Sequence, residues 1–249
     1  MNRREFLIFG ATTLITTNSF GLELTKKNRD VFVPNEYKES LYQLHKRLEN
    51  IEKTIGYANF NLLSFDEALK IASLHKNIGS FTKKELELVE YFFYTPAEKF
   101  GFLGERTINR LTAHINKKNV VKIPHTGHFL FKGESLKVYN KLMKDVNDIY
   151  LTSGIRSVVK QLRLFVRKIY NCNYNISKAA FSIAPPGYSY HSISDFDVGK
   201  KGWGYANFTS KFAKTEQFYK IRHLNYVGIR YRKDNIYGVR FEPWHIKVI

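Results

Sequence analysis

Apolar residues from Pro34 onward recur at helical spacing: Leu41, Leu44, Leu48 and Ile51 follow one another in steps of three and four. Ser64 with Glu67, and Thr82 with Glu85, each set a hydroxyl residue three positions before a glutamate. That pairing satisfies two free N–H groups at a helix start, so helices are predicted to begin near residues 65 and 83. Thr95–Pro96 predicts a further short helix, since proline at a first helical position loses no needed hydrogen bond. Glu105–His114 predicts another. Residues 36–119 therefore read as a helical region, to which no role is assigned, and 36–115 carries no strand pattern.

The second half alternates differently. A helix over Glu134–Val146 leads to a predicted strand at Asp148–Thr152. A second helix over Ser157–Tyr170 carries Val158, Leu162, Phe165 and Ile169 on one stripe, and a third covers Ser210–His223. Val227–Arg232 and Tyr237–Val248 read as strands around a turn at Lys233–Asp234–Asn235. Helices followed by late antiparallel strands predict an α+β fold, with a small antiparallel-sheet core over residues 120–249.

Composition changes this picture in two ways. The 249 residues include 40 Lys and Arg against 22 Asp and Glu, a formal net charge of +18, which favours polyanionic surroundings. The basic residues are scattered in pairs, with no nucleic-acid-binding tail. Met1–Leu7 is short and basic and precedes an uncharged run through Thr17, which predicts an export signal over residues 1–21. Arg3–Arg4–Glu5–Phe6–Leu7 resembles the twin-arginine signal, and residues 22–35 follow as a linker. Export argues against a nucleic-acid partner and predicts a periplasmic or cell-envelope location, with membrane contact only through the signal. The single cysteine, Cys172, excludes an intramolecular disulfide and any CxxC zinc site.

Three stretches carry candidate chemistry: Ser153–Gly154–Ile155–Arg156–Ser157 with Gln161 behind it; Gly187–Tyr188–Ser189–Tyr190–His191 running to Asp195–Phe196–Asp197–Val198–Gly199; and Phe241–Glu242–Pro243–Trp244–His245. A hydrolytic zinc site needs three N/O ligands and an open position. His191, Asp197 and His245 can supply the ligands, Glu242 a base beside the last of them, and Arg156 a positive charge for the attacked carbonyl or a substrate carboxylate. Glu242 and His245 lie three apart, so a regular strand would aim them at opposite faces. Pro243 breaks that regularity and would let them converge. His125 and His128 are also spaced like ligands, but no third partner is in view; they read as structural or substrate-facing.

Taken together these stretches resemble the VanY-like zinc D-alanyl-D-alanine carboxypeptidases and L,D-carboxypeptidases that trim peptidoglycan stem peptides. The resemblance covers roughly residues 149–249. It implies zinc on His191, Asp197 and His245, Glu242 as base, Arg156 as a transition-state or carboxylate contact, and Ser153, Gln161 and Ser189 in the substrate cleft. It implies an exported peptidase removing a terminal D-alanine, with stem peptides and anionic cell wall as partners. A zinc endopeptidase, or a non-catalytic wall-binding protein with a degenerate site, stays open. The family usually places its aspartate seven positions after the first histidine, whereas Asp197 comes six after His191, so Asp195 is a rival ligand. Asp197 is preferred because Val198–Gly199 follows it. Ile155 also stands where the family has an aromatic residue, a difference that bears on substrate packing.

Overall fold

A computed structural model describes residues 30–249. The expected export signal, and the linker up to residue 29, lie outside the described residues. Helix α1 (Asn35–Ile55) buries the predicted stripe of Leu41, Leu44, Leu48 and Ile51 and ends at Gly56, whose φ of 83° suits a residue without a Cβ. A short α2 (Tyr57–Phe60) follows. Helices α3 (Phe65–Leu74) and α4 (Lys83–Tyr94) both start on complete capping boxes, from Ser64 and Thr82. Glu85 does double duty, since its fully buried carboxylate also pairs with Arg47 of α1. Pro96 precedes a single 3-10 turn, Ala97–Phe100, instead of opening an α-helix.

The helix expected over Glu105–His114 does not form. Its backbone and side chains are engaged elsewhere. The Thr107 and Ile108 amides both donate to the Gly187 carbonyl, and Thr107 Oγ1 reaches the Gly187 and Ser189 carbonyls. Arg106 donates to the Phe93 carbonyl and lies over the Tyr188 ring. Tertiary hydrogen bonds replace the local ones a helix would have made.

A hairpin that periodicity did not reveal comes next, β1 (Val120–Ile123) paired antiparallel with β2 (His128–Phe131). Two four-residue strands leave little pattern to read. Helix α5 (Glu134–Asp145), β3 (Ile149–Ser153), α6 (Val158–Asn171), α7 (Ile176–Ala180) and β4 (Phe196–Lys200) follow. The predicted helix over 210–223 divides at Thr215 into a 3-10 turn and α8 (Glu216–Ile221), because the Thr215 hydroxyl accepts from the Phe218 amide and caps a new helix there. Strands β5 (Val227–Tyr231) and β6 (Glu242–Val248) complete the sheet. The second strand starts later than expected because residues 232–241 form a loop tied by Asn235, which donates to the Arg232 and Val239 carbonyls.

The strand order is β3-β4-β6-β5, all neighbours antiparallel. One sheet face, with Leu151, Phe196, Val198, Trp244 and Ile246, packs with Leu142 of α5 in one core. A second core joins α1 and α4 to the apolar stripe of α6, with Phe92 edge-on to Phe165. The α+β arrangement, a helical front end followed by a small antiparallel sheet, is the class the patterning predicted. No described helix is long and apolar enough to cross a membrane.

Candidate metal centre and active site

Sheet register brings the candidate residues together. Leu151 of β3 faces Val198 of β4 on the core side, but a register shift lies before the next pair, Ser153 with Asp197. That irregularity moves Ser153 off the core face and onto the opposite one. Asp197 pairs in turn with His245 of β6, so Ser153, Asp197 and His245 form one row across three strands. On the far edge, Ile229 pairs with Ile246 whereas Tyr231 pairs with Glu242, a second shift centred on Pro243–Trp244–His245. The pairing with β5 is irregular at the proline, as expected, although β6 itself runs unbroken from Glu242 to Val248. Glu242 Oε2 and His245 Nδ1 lie 3.7 Å apart on the same side.

His191 arrives from outside the sheet, on a 3-10 turn at Tyr190–Ser192. Two hydrogen bonds stitch that turn to the β3–α6 loop: Ser192 Oγ donates to the Arg156 carbonyl at 2.8 Å, and the Arg156 amide donates to the His191 carbonyl at 3.4 Å. The His191 ring is oriented by its Nδ1, 2.9 Å from the Gly154 carbonyl oxygen, which assigns the hydrogen to Nδ1 and leaves Nε2 bare. His245 is held the other way round. Its Nε2 meets Asp195 Oδ2 at 3.1 Å and its Nδ1 faces the site.

The ligand atoms of His191, Asp197 and His245 lie within 4.8 Å of one another, and all three residues are buried. His191 Nε2 is 3.3 Å and His245 Nδ1 is 3.4 Å from the same Asp197 oxygen, Oδ1. Tetrahedral zinc with bonds of about 2.0–2.2 Å needs ligand atoms roughly 3.4 Å apart, and both distances to Asp197 Oδ1 match that spacing. Nε2 of His191 and Oδ1 of Asp197 are moreover buried with no hydrogen-bond partner among the described residues. A buried polar atom left bare is costly unless something occupies the space between, and a cation answers that requirement.

Electrostatics point the same way. Burial and the nearby Arg156 cation push His191 down to about 4, so it stays neutral and able to donate a lone pair. Asp197 would be pushed up by burial, but His191, Arg156 and His245 hold its carboxyl well below the usual range. Burial would lower His245 too, yet its contacts with Asp195 and Glu242 outweigh that and raise it to about 9. Any metal would have to displace the Nδ1 proton, so affinity should be pH-dependent.

Around this centre the other candidates take distinct places. Arg156 donates through Nη2 to Asp197 Oδ2 at 2.7 Å and through Nε to Ser153 Oγ at 2.9 Å, so Ser153 steadies the guanidinium. Gln161 is buried at the start of α6 and donates to the Ala184 carbonyl. Ser189 is buried, its carbonyl taken by Thr107. Asp195 is engaged on the Nε2 side of His245: Arg230 grips it at 2.7 and 3.0 Å, and the Val248 amide donates to it at 3.2 Å. Its carboxyl is pulled up by burial but held down by His245 and Arg230. Sequence reasoning missed Arg230, which has no motif around it, and the strap at residues 106–108. His125 adopts a left-handed turn conformation, whereas His128 is buried near the centre.

A buried His–Asp–His cluster with a carboxylate beside it, set at the edge of a small antiparallel sheet under helices, could hold a metal ion. The family comparison is more particular: residues 133–249 match VanY, D-alanyl-D-alanine carboxypeptidase, so this segment is VanY-like. No curated protein matches the chain. Among solved structures, the LdcB LD-carboxypeptidase, described with its peptidoglycan recognition, is 22% identical over 54% of this chain and 70% of its own, with a TM-score of 0.44. The vancomycin-resistance D,D-pentapeptidase VanY from a VanB-type cassette, in complex with Zn(II), is 18% identical over 60% of this chain and 86% of its own, at a TM-score of 0.43. The same figures hold for VanYB in complex with D-alanine-D-alanine.

Proposed function

We propose that this protein is a zinc-dependent peptidase that removes a terminal D-alanine from peptidoglycan stem peptides, as a D,D- or L,D-carboxypeptidase. The observation that carries the reading is the pair of bare, buried ligand atoms, His191 Nε2 and Asp197 Oδ1, facing His245 Nδ1 with Glu242 alongside. Bound there, zinc would polarise the scissile carbonyl and acidify a water. Glu242 would take the proton from that water and pass it to the departing amine. Asp195 would fix the His245 ring so that Nδ1 stays aimed at the metal. Arg156, already steadied by Ser153, would hold negative charge developing on the substrate. The family model matched over residues 133–249 is that of a D-alanyl-D-alanine carboxypeptidase, which favours the same substrate class here.

The proposal extends to export through the twin-arginine-like start and to a periplasmic or cell-envelope site of action. There the net charge of +18 would suit an anionic wall. The test uses zinc-loaded protein with tetra- and pentapeptide muropeptides and product mass. Wild type should release D-alanine; Glu242→Gln should keep about one zinc per chain while turnover falls by roughly two to four orders of magnitude. Cleavage inside the stem or cross-bridge would make it an endopeptidase. Glu242→Gln with wild-type turnover would reject the mechanism.

A further inference from the structure

Tyr57 of α2 and His128 of β2 both lie before the VanY-like segment, yet the Phe129 carbonyl, next to His128, accepts from the Ile155 amide beside Arg156, and Lys160 of α6 covers the Tyr57 ring. They are therefore neighbours of the centre. Tyr57 Oη and His128 Nε2 are 3.2 Å apart, with the rings edge to face at 5.3 Å. The Lys160 ammonium sits 4.1 Å from the centroid of the Tyr57 ring. Gly127, at a φ of 72°, lets that ring lie close, since a Cβ there would be 3.1 Å from it. Asn61 completes the frame: its side chain donates to the Gly127 carbonyl, and its own carbonyl accepts from the Ser157 amide beside Arg156. Tyr57 is thus clamped on three sides while remaining 46% exposed.

The charge around it is unbalanced. Among the described residues, Glu52 is the one carboxylate paired with Lys160 and Arg163, one negative charge against two positive. Arg156 is matched by Asp197 only while that carboxylate serves no cation. A metal on Asp197 would leave Arg156 short of a counter-charge, so the completed site calls for an anion at this edge. His128 is 95% buried, and its Nδ1 has no partner among the described residues. With its hydrogen on Nε2, His128 donates to the Tyr57 oxygen and leaves the phenol hydrogen for a ligand.

We propose that Tyr57, positioned by His128 and Lys160, is a specificity-determining contact for the free C-terminal carboxylate of the substrate, supplied by the helical region in front of the VanY-like segment. This rests on the carboxypeptidase reading above. It gives residues 36–119 a share in the active site: they make the enzyme prefer chain ends over internal bonds.

The test compares stem tetra- and pentapeptides as free acids and as C-terminal amides, using the full chain loaded with zinc. Tyr57→Phe should raise KM for the free acid about tenfold, the effect of losing one hydrogen bond to a charged group. It should leave kcat and zinc content within about twofold and shrink the acid-over-amide preference by the same factor. His128→Leu should reproduce the shift, and His128→Gln, which can still donate to Tyr57, should recover most of it. Tyr57→Phe with an unchanged KM and an intact acid preference overturns the inference while wild-type turnover keeps the enzyme reading standing. Wild type that binds zinc but cleaves neither acid nor amide overturns both.

Discussion

Asp195 and Asp197 sit two positions apart, yet their surroundings divide their work. Asp195 has both oxygens occupied by Arg230, His245 and a backbone amide, whereas Asp197 Oδ1 is bare and faces two histidine nitrogens. On this geometry Asp197→Asn should lose zinc and activity together. Asp195→Asn should weaken zinc only by roughly 10- to 100-fold, the usual cost of removing a group that orients a ligand. Metal titration with a fluorescent chelator, followed by turnover at saturating zinc, separates the two: restoration of Asp197→Asn by excess metal would contradict the assignment. Both aspartates and the histidine were legible as a chemically rich loop. The difference between them was not, because it depends on Arg230, thirty-five residues away and in no motif.

At the scale of elements, the β1–β2 hairpin docks against the start of the Arg156 loop. The Ile155 amide donates to the Phe129 carbonyl at 2.8 Å, and a Cβ on Gly154 would come within 2.1 Å of that same oxygen. Gly154 is therefore required by close backbone approach. Gly154→Ala should push the hairpin away, destabilise the protein by about 1–3 kcal/mol or more, and disturb Arg156 and the Gly154 carbonyl that orients His191. Gly228→Ala is the control, since a Cβ there meets nothing closer than 3.6 Å. Thermal melts and steady-state turnover of the two variants check this; equal melting points would refute it. The capped helices could be read in advance because their signals are local. The strap at 106–108 and the hairpin could not, because what holds them is contact with residues far along the chain.

For the molecule as a whole, His128 couples stability to pH. Burial first, then the Arg156 and Lys160 cations, lower it from an ordinary 6.5 to about 4. Between those values the unfolded chain binds more protons than the folded one, so stability is fully present above about 6.5 and is lost as pH falls toward 4. The full shift is worth on the order of 3 kcal/mol. Denaturant unfolding of wild type and His128→Gln at pH 7 and pH 5 should show a smaller loss in the variant; equal losses would mean that His128 contributes nothing to the slope.

Local pattern alone determined the α+β class, the two capping boxes, the apolar stripes of α1 and α6, and the three stretches rich in candidate groups. Each depends on neighbours within about four residues, which is the range over which helical period, capping and proline act. Tertiary structure decided the rest. Two register shifts, one before Ser153 and one around Pro243–His245, turned separate motifs into one row facing His191. A helix predicted over 105–114 gave way to hydrogen bonds with the Gly187 loop, and Tyr57 and His128 were carried to the edge of the site. Sheet register and long-range packing set these outcomes, because a side chain's partner across a sheet is fixed by which strands pair and in what alignment, and no short stretch of sequence records that.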